Sequence, residues 1–394
     1  MSEKFQESLR LELHQLEEQH LLRRAGILEG QQAHATTIDG KQVIMLCSNN
    51  YLGLTNHPRV IKETIEAIEK YGVGLGCGRV IVSMEVQLEL EKEIAEFKHC
   101  EASITFQTGY DTNLAAVWTL AGEGDWIISD SLNHASIIDG SRLSPATKKV
   151  FPHKDMAGLE KILKESQGAR RKIIITDSVF SMDGDIAPLP EIVELAEKYS
   201  AVVYTDDSHA VGVLGKTGAG ISEHFGLHGK VEIEMGTLSK ALGSVGGYVA
   251  GSVALREYLF QKARPFVFAT GHLAPPSAAA ALAAIKVLHD EPYLLEQLWK
   301  NARRFRDGLK SLGFNTGQSE TPIIPVMVGD AGLATELRNM LVERKIFVQA
   351  FVYPVVASDK ARLRTIVSAT HTSDELDRAL EVFAECGHKL KIIN

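Results

Sequence analysis

From about residue 58 onward, short apolar runs alternate with stretches whose apolar residues recur every three or four positions. VIKETIEAIEKYG and VQLELEKEIAEFK carry the helical period, whereas ASITFQ, DWIISD, KIIITD and AVVYTD are brief apolar runs of the kind that form buried strands. NLAAVWTLAG predicts a helix between the first two of those strands, and VEIEMG and GGYVAG bracket a turn of small residues. Such alternation predicts an α/β fold with a mostly parallel sheet covered on both faces. Near residue 277 the texture changes to one long helical stretch, SAAAALAAIKVLHDEPYLLEQLWKNARRFRDGLKSLG, which Pro292 is expected to break or kink. PIIPVMVG, ELRNMLVERK, IFVQAFVY, RLRTIVSA and ELDRALEVFAECGHKL then predict a small α+β unit. The expected organisation is an N-terminal helical arm over 1–45, a large domain over 46–283 and a small C-terminal domain over 284–394. In the arm, Phe5, Leu9, Leu13 and Leu16 form an apolar stripe, expected to pack on its own or a partner subunit.

Composition narrows the function classes. The chain has 394 residues, of which 45% are hydrophobic and 23% charged, the mix of a globular protein that buries a large core. A formal net charge of -8 without a basic block argues against nucleic acid. No apolar run approaches the roughly eighteen residues that span a bilayer. The first twenty residues are too polar for a signal peptide and too acidic for a transit peptide, so a cytoplasmic location is expected. Cys47, Cys77, Cys100 and Cys386 are far apart and form no CxxC pair, which fits a reducing compartment and predicts neither a disulfide framework nor a metal site.

Ligands of open α/β sheets bind beyond the carboxyl ends of the strands. Asp130, Asp177, Asp206 and the loop after Met235 all fall at such ends. In that loop, GTLSKALGSVGG, Lys240 follows an apolar strand and is flanked by Thr237, Ser239 and glycines. Hydroxyls can donate to a phosphate, and a lysine kept dry loses its proton more easily and becomes a nucleophile toward an aldehyde. YTDDSHA places Asp206 at a strand terminus with His209 three residues on. Pyridoxal phosphate (PLP) needs a carboxylate facing its ring nitrogen, and a histidine at that spacing could reach the ring oxygen. His134 of SDSLNHASIIDG could stack on the ring, and Gly109 and Tyr110 open a helix whose N–H groups suit a phosphate. Two nucleotide motifs fail. GVGLGCGRV has no GxGxxG register, and AVGVLGKT has Ala210 in place of the first P-loop glycine.

Together these residues, from about Leu46 to about Leu390, resemble the α-oxoamine synthases, PLP enzymes of the fold-type I aminotransferase superfamily that condense an amino acid with an acyl-CoA. The resemblance implies that Lys240 carries the cofactor as a Schiff base, Asp206 pairs with the ring nitrogen, His209 bonds the ring oxygen and His134 stacks on the ring. It further implies that Gly109, Tyr110 and Thr237 hold the phosphate, with Ser181 of VFSMDGD close by. Thr270 would be a phosphate ligand donated across a homodimer with shared active sites. Asn49 and Arg364 would bind substrate, the arginine gripping the amino-acid carboxylate. CSNNYLGL, LNHASIIDG, TDSVFSMDGD, DDSHAVG, IIPVMVGD and YPVV are similar to the glycine C-acetyltransferase branch. That similarity implies glycine and acetyl-CoA giving 2-amino-3-oxobutanoate and CoA, or the reverse. The alternative is the 8-amino-7-oxononanoate synthase branch, which uses L-alanine and a pimeloyl thioester, or dual use. The chain departs from the family pattern at Ser83 and Gln87, and at Ala357 and Asp359 before ARLR, which bears on acyl specificity rather than on the cofactor.

Overall fold

The computed structural model describes residues 3–18, 22 and 25–394. Its centre is a seven-stranded sheet. In spatial order the strands are Ala102–Phe106, Gly247–Gly251, Ile233–Thr237, Val202–Asp206, Lys172–Asp177, Trp126–Asp130 and Thr147–Phe151. Only Gly247–Gly251 runs antiparallel to its neighbours. Six strands therefore end on one edge. Register sharpens that convergence, because Asp177 lies opposite Asp206, and Gly247 opposite both Thr237 and Phe106. The apolar runs form these strands because both faces are covered. On one face Ile174, Val203, Tyr248 and Ala250 pack with Leu90, Leu163, Ile192 and Leu282 from surrounding helices. On the other, Ile104, Ile173, Tyr204 and Met235 pack with Ala116, Ile137 and Phe266.

The expected strands and helices of residues 58–251 are present, with the first helix after Phe106 starting earlier, at Gly109, where the Thr108 side chain caps it by accepting from Asp111 N–H at 3.0 Å. The edge strand Thr147–Phe151 is absent from the sequence reading, since its TKKV run is mostly solvent-facing and lacks an apolar signature. Pro292 separates two helices, Pro275–Asp290 and Tyr293–Ser311. Residue 283 lies inside the first of them, which packs along Pro58–Tyr71 and Glu85–Phe97 beside the large sheet. A second core gathers Phe305, Phe314, Ile324, Leu341, Leu363 and Phe383 around the antiparallel sheet Ile323–Gly329, Ala361–Ile366 and Gln349–Phe351. The run IFVQAFVY holds two strands: Ile346–Phe347 pairs in parallel with Lys41–Met45, while Gln349–Phe351 joins the three-stranded sheet.

Among the described residues of the N-terminal arm, Glu3–Glu18 is helical, and Leu28–Glu29, Ala35–Ile38 and Lys41–Met45 form an antiparallel meander. These strands are too short and too polar for a period of two to stand out. No residue of the Glu3–Glu18 helix is buried, and Phe5, Leu9, Leu13 and Leu16 remain exposed on this chain.

The positions that depart from the expected pattern sit in different surroundings. Gln87 is buried, accepts the Met84 N–H at 3.0 Å and donates to the Leu273 carbonyl at 2.8 Å, tying a helix start to the segment before Pro275. Arg79 is buried in a bidentate pair with Glu91, at 2.5 and 3.1 Å. Ala357 and Asp359 lie in an exposed loop.

Behind the strand end at Asp206, Asp207 points the opposite way, into a fully buried cluster. Lys98 Nζ lies 2.5 Å from Asp207 Oδ2 and 2.8 Å from Glu234 Oε2, and also donates to the Ala219 carbonyl. Two buried carboxylates tolerate each other only with a cation between them. Lys98→Ala is therefore expected to cost about 3–5 kcal/mol in chemical denaturation. A loss under about 1 kcal/mol would show that Lys98 does not hold these acids in place.

Candidate active site

Because the strands end in register, their following loops line one cavity of about 280 Å³. Gly109, Tyr110, His134, Ser181, Asp206, His209, Thr237 and Lys240 all line it. Asp206 is fixed from two sides: Oδ2 accepts from Asn113 Nδ2 at 2.7 Å, and Oδ1 from the Ser208 N–H at 2.9 Å. Asn113 is itself oriented by the Tyr204 hydroxyl, which donates to its Oδ1 at 2.7 Å. The carboxylate thus has one rotamer, aimed into the cavity.

His134 caps the helix Ala135–Leu143. Its Nδ1 accepts from the Ser136 N–H at 3.3 Å, which leaves the proton of the neutral ring on Nε2. Burial, together with the Lys240 charge, lowers its pKa despite Asp206, so the ring is neutral near pH 7. His209 is buried, with Nδ1 2.8 Å from the Tyr51 hydroxyl. Burial and then the charges of Lys240 and Arg364 hold its pKa well below the usual range.

Lys240 opens a tight turn, with the Gly243 N–H donating to its carbonyl at 3.0 Å. Its side chain is only partly exposed, and loss of water lowers its pKa to about 8 although Asp206 and Asp177 oppose the shift. Thr237 Oγ1 lies 2.8 Å from Ser239 Oγ. Across from it starts the helix Gly109–Leu120, where the N–H groups of Gly109 and Tyr110 have no intrahelical acceptor. A Cβ on Gly109 would lie 2.9 Å from Thr237 Oγ1, and one on Gly247 would lie 2.8 Å from Gly109 Cα. Only glycine at both positions lets helix, strand and hydroxyl close on one small space. A phosphate fits there: free N–H groups at a helix start, a hydroxyl pair and no intruding side chain.

Asp177, noted in the sequence only as a strand-end acid, and Asn113, Ser136 and Ser208, which carry no sequence signal of their own, also line the cavity, as does Ser239 beside Lys240. Asp177 is buried beside Asp206. Its Oδ2 accepts the His134 N–H at 3.1 Å while Oδ1 has no partner, and burial and the Asp206 charge raise its pKa well above the carboxylate range. The signal available for Asp177 was its strand-end position; Asn113 gave only a polar residue inside an apolar helix.

Three expected residues lie outside this cavity's lining. Arg364 donates from Nη1 to the Ser181 carbonyl at 3.2 Å and lies 4.8 Å over the Phe351 ring, with Nε buried and unpartnered. Asn49 Oδ1 is likewise buried without a partner. Thr270 is exposed on the segment between Phe268 and His272.

A lysine opposite a fixed carboxylate, two neutral histidines and a phosphate cradle at strand ends define a class. Residues 41–383 match the family model described as aminotransferase class I and II. The chain is 53% identical to an 8-amino-7-oxononanoate synthase of Thermoanaerobacter pseudethanolicus (strain ATCC 33223 / 39E), with 97% of each chain covered. It is 48% identical to 8-amino-7-oxononanoate synthase 1 of Bacillus subtilis (strain 168), covering 98% of this chain and 99% of that one. Among solved structures, an SPT with PLP as internal aldimine aligns with a TM-score of 0.93 at 32% identity, covering 98% of both chains. The chain belongs to the aminotransferase class I and II family and, within it, to the α-oxoamine synthases. The branch favoured from sequence words, glycine C-acetyltransferase, is not the one these relatives are named for; they carry the name of the alternative. The words that suggested it surround Asp206, Ser181 and Asn49, and frame chemistry that both branches share.

The lowered Lys240 pKa has a measurable consequence in cofactor-free protein. Between about 8 and 10.5 the unfolded chain holds a proton at this lysine that the folded chain does not. That difference makes Lys240 a destabilising group at neutral pH, with the penalty fading as pH rises through this window. Lys240→Met is expected to be more stable than wild type below about pH 8, with the gap narrowing toward pH 10.5. Urea midpoints across pH check it, and a gap independent of pH would place Lys240 in water.

Proposed function

We propose that this chain is a PLP-dependent acyltransferase that joins L-alanine to a pimeloyl thioester, giving 8-amino-7-oxononanoate, carbon dioxide and the free thiol. The observation that carries the substrate choice is the name shared by full-length relatives at 48–53% identity. The geometry that supports the chemistry is Lys240 facing the fixed carboxylate of Asp206 across one cavity.

Gly109, Tyr110 and Thr237, with Ser239, would hold the cofactor phosphate, Asp206 its ring nitrogen, His209 its ring oxygen and His134 its face. Once bound, the pyridinium ring supplies an electron sink for the pair left at Cα. Asp206 keeps the ring nitrogen protonated, a task a neutral amide cannot do. Lys240, with a pKa of about 8, is the base that takes and returns the Cα proton. His134, neutral with N–H on Nε2, would donate to the thioester carbonyl as negative charge develops there. Arg364, half-buried with its Nε short of an acceptor, holds the amino-acid carboxylate.

Arg23 and Arg24 of HLLRRAGIL are candidates for the cation that meets the far pimeloyl carboxylate; they lie outside the described residues. We also propose that a second copy completes the site. Thr270 sits away from its own cavity, and Val80, Ile81, Val82 and Phe268 near that segment are exposed apolar residues that a partner would cover.

Two outcomes are expected. With purified, PLP-loaded protein, kcat/KM is higher for L-alanine with a pimeloyl thioester than for glycine with acetyl-CoA, whether CoA or a carrier protein bears the acyl group. Higher kcat/KM for the glycine pair would return the protein to the other branch. Mixing inactive Lys240→Ala with inactive Thr270→Ala subunits restores activity, because some sites then contain both residues. No recovery despite demonstrated subunit exchange would mean each site is built from one chain.

A further inference from the structure

Behind the cavity, a charged cluster joins two of the segments that shape it. His153 lies in the turn that follows the edge strand Thr147–Phe151. Its Nδ1 is 3.1 and 3.2 Å from the two carboxylate oxygens of Asp130, and its Nε2 is 3.0 Å from Asp185 Oδ2. A neutral imidazole has one N–H and can donate to only one of these acids; donating to both requires the imidazolium. Burial pushes the ring toward neutrality, but hydrogen bonds to Asp130 and Asp185, and their charges, outweigh it and raise the pKa to about 9. Lys154, from the same turn, adds its Nζ at 3.1 Å from Asp185 Oδ2 and 3.9 Å from the exposed Glu320 Oε1. The Phe180 ring packs edge-on against the imidazole, with centroids 4.3 Å apart.

Both acids root parts of the site. Asp130 ends the strand Trp126–Asp130, and its Oδ1 accepts the Leu132 N–H at 2.8 Å, shaping the loop that leads to His134. Asp185 closes the turn that begins at Phe180, the Phe180 N–H donating to its carbonyl at 3.1 Å. Ser181 of that turn lines the cavity. The far side of the same turn receives Arg362, which donates to Asp183 Oδ1 at 2.6 Å and to the Met182 carbonyl at 3.0 Å. It also receives Arg364, through the Ser181 carbonyl. His153 therefore clamps one side of a turn whose other side orients the proposed carboxylate-binding arginine.

We propose that His153 is a positioning residue which, by bridging Asp130 and Asp185, fixes the His134 loop against the turn that carries Ser181 and orients Arg364. This rests on the function proposed above for Arg364 and the cavity. Without the bridge the turn keeps Lys154 at Asp185 and the Glu320 and Thr321 bonds to the Gly184 carbonyl, but it loses the imidazolium tie to Asp130, and the Ser181 carbonyl that meets Arg364 is less firmly fixed. Amino-acid binding weakens, while the cofactor keeps its holds at Gly109, Asp206, Thr237 and Lys240 on other elements and loses only the ordering of His134 against its face. The contribution of the bridge to stability also has a definite sign. The folded pKa of His153 lies above the ordinary 6.5, so its stabilisation is full below about pH 6.5 and is lost as pH rises through about 9.

The test uses PLP-loaded protein and two variants, His153→Gln and Asp185→Asn. The second keeps the shape of the turn in case the first folds poorly. L-Alanine is titrated at equilibrium and followed by the change in cofactor absorbance, and unfolding is measured from pH 7 to pH 10. His153→Gln is expected to raise the Kd for L-alanine about tenfold, with the cofactor spectrum before addition unchanged. Its stability deficit against wild type is expected to shrink as pH approaches 10. Asp185→Asn moves both readouts the same way. A normal L-alanine Kd in both variants, even with lowered stability, overturns the positioning role and leaves a structural salt bridge. If wild-type protein itself takes up no PLP, the function proposed above fails first and takes this inference with it.

Discussion

Two neighbouring carboxylates end adjacent strands of this sheet, and the rest of the site is arranged around keeping them there. Asp177 and Asp206 lie opposite each other in register, both buried, in a cavity whose nearest cation is a lysine with a lowered pKa. Such an arrangement costs free energy unless the two acids differ, and they do. Asp206 takes two hydrogen bonds, from Asn113 and the Ser208 backbone, that suit a carboxylate. Asp177 takes one, leaves an oxygen unpartnered and is pushed toward its neutral form. The parallel sheet makes this possible by delivering six strand ends to one edge. Asp207, one residue on, turns away to Lys98, so adjacent acids serve opposite sides of the same strand end.

The pattern of apolar runs made the sheet legible because strands buried on both faces leave continuous apolar words such as KIIITD and AVVYTD. Segments that escaped are those whose pairing owes little to apolar side chains: the edge strand at Thr147–Phe151, three of whose five residues are lysine or threonine, and the short meander between Leu28 and Met45. Residue 283, the expected division, falls within a helix because the alanine-rich stretch continues the packing of the large sheet rather than leaving it.

Within the site, Lys240, Asp206, His209, His134 and the Gly109 helix start were readable because each follows a recognisable strand. Eight of the expected residues share one cavity in a single chain. Arg364, Asn49 and Thr270 do not join them there, and their roles stay with the proposed substrate and partner. Asn113 was invisible for a physical reason: its function is to orient Asp206 across the fold, a long-range contact that leaves no local word. The sequence words favoured the glycine C-acetyltransferase branch because they surround cavity residues such as Asp206 and Ser181, whereas the relatives carry the name of the alternative.

The proposal stands most directly on one atom, the Lys240 amine. Protein loaded with PLP, reduced with borohydride and digested, identifies the lysine that bears the cofactor by the mass of the labelled peptide. The expected result is a single reduced adduct on the peptide containing Lys240, absent in Lys240→Ala. An adduct on another lysine, or none in protein that retains its cofactor colour, would contradict the proposed anchor and the cavity chemistry built on it.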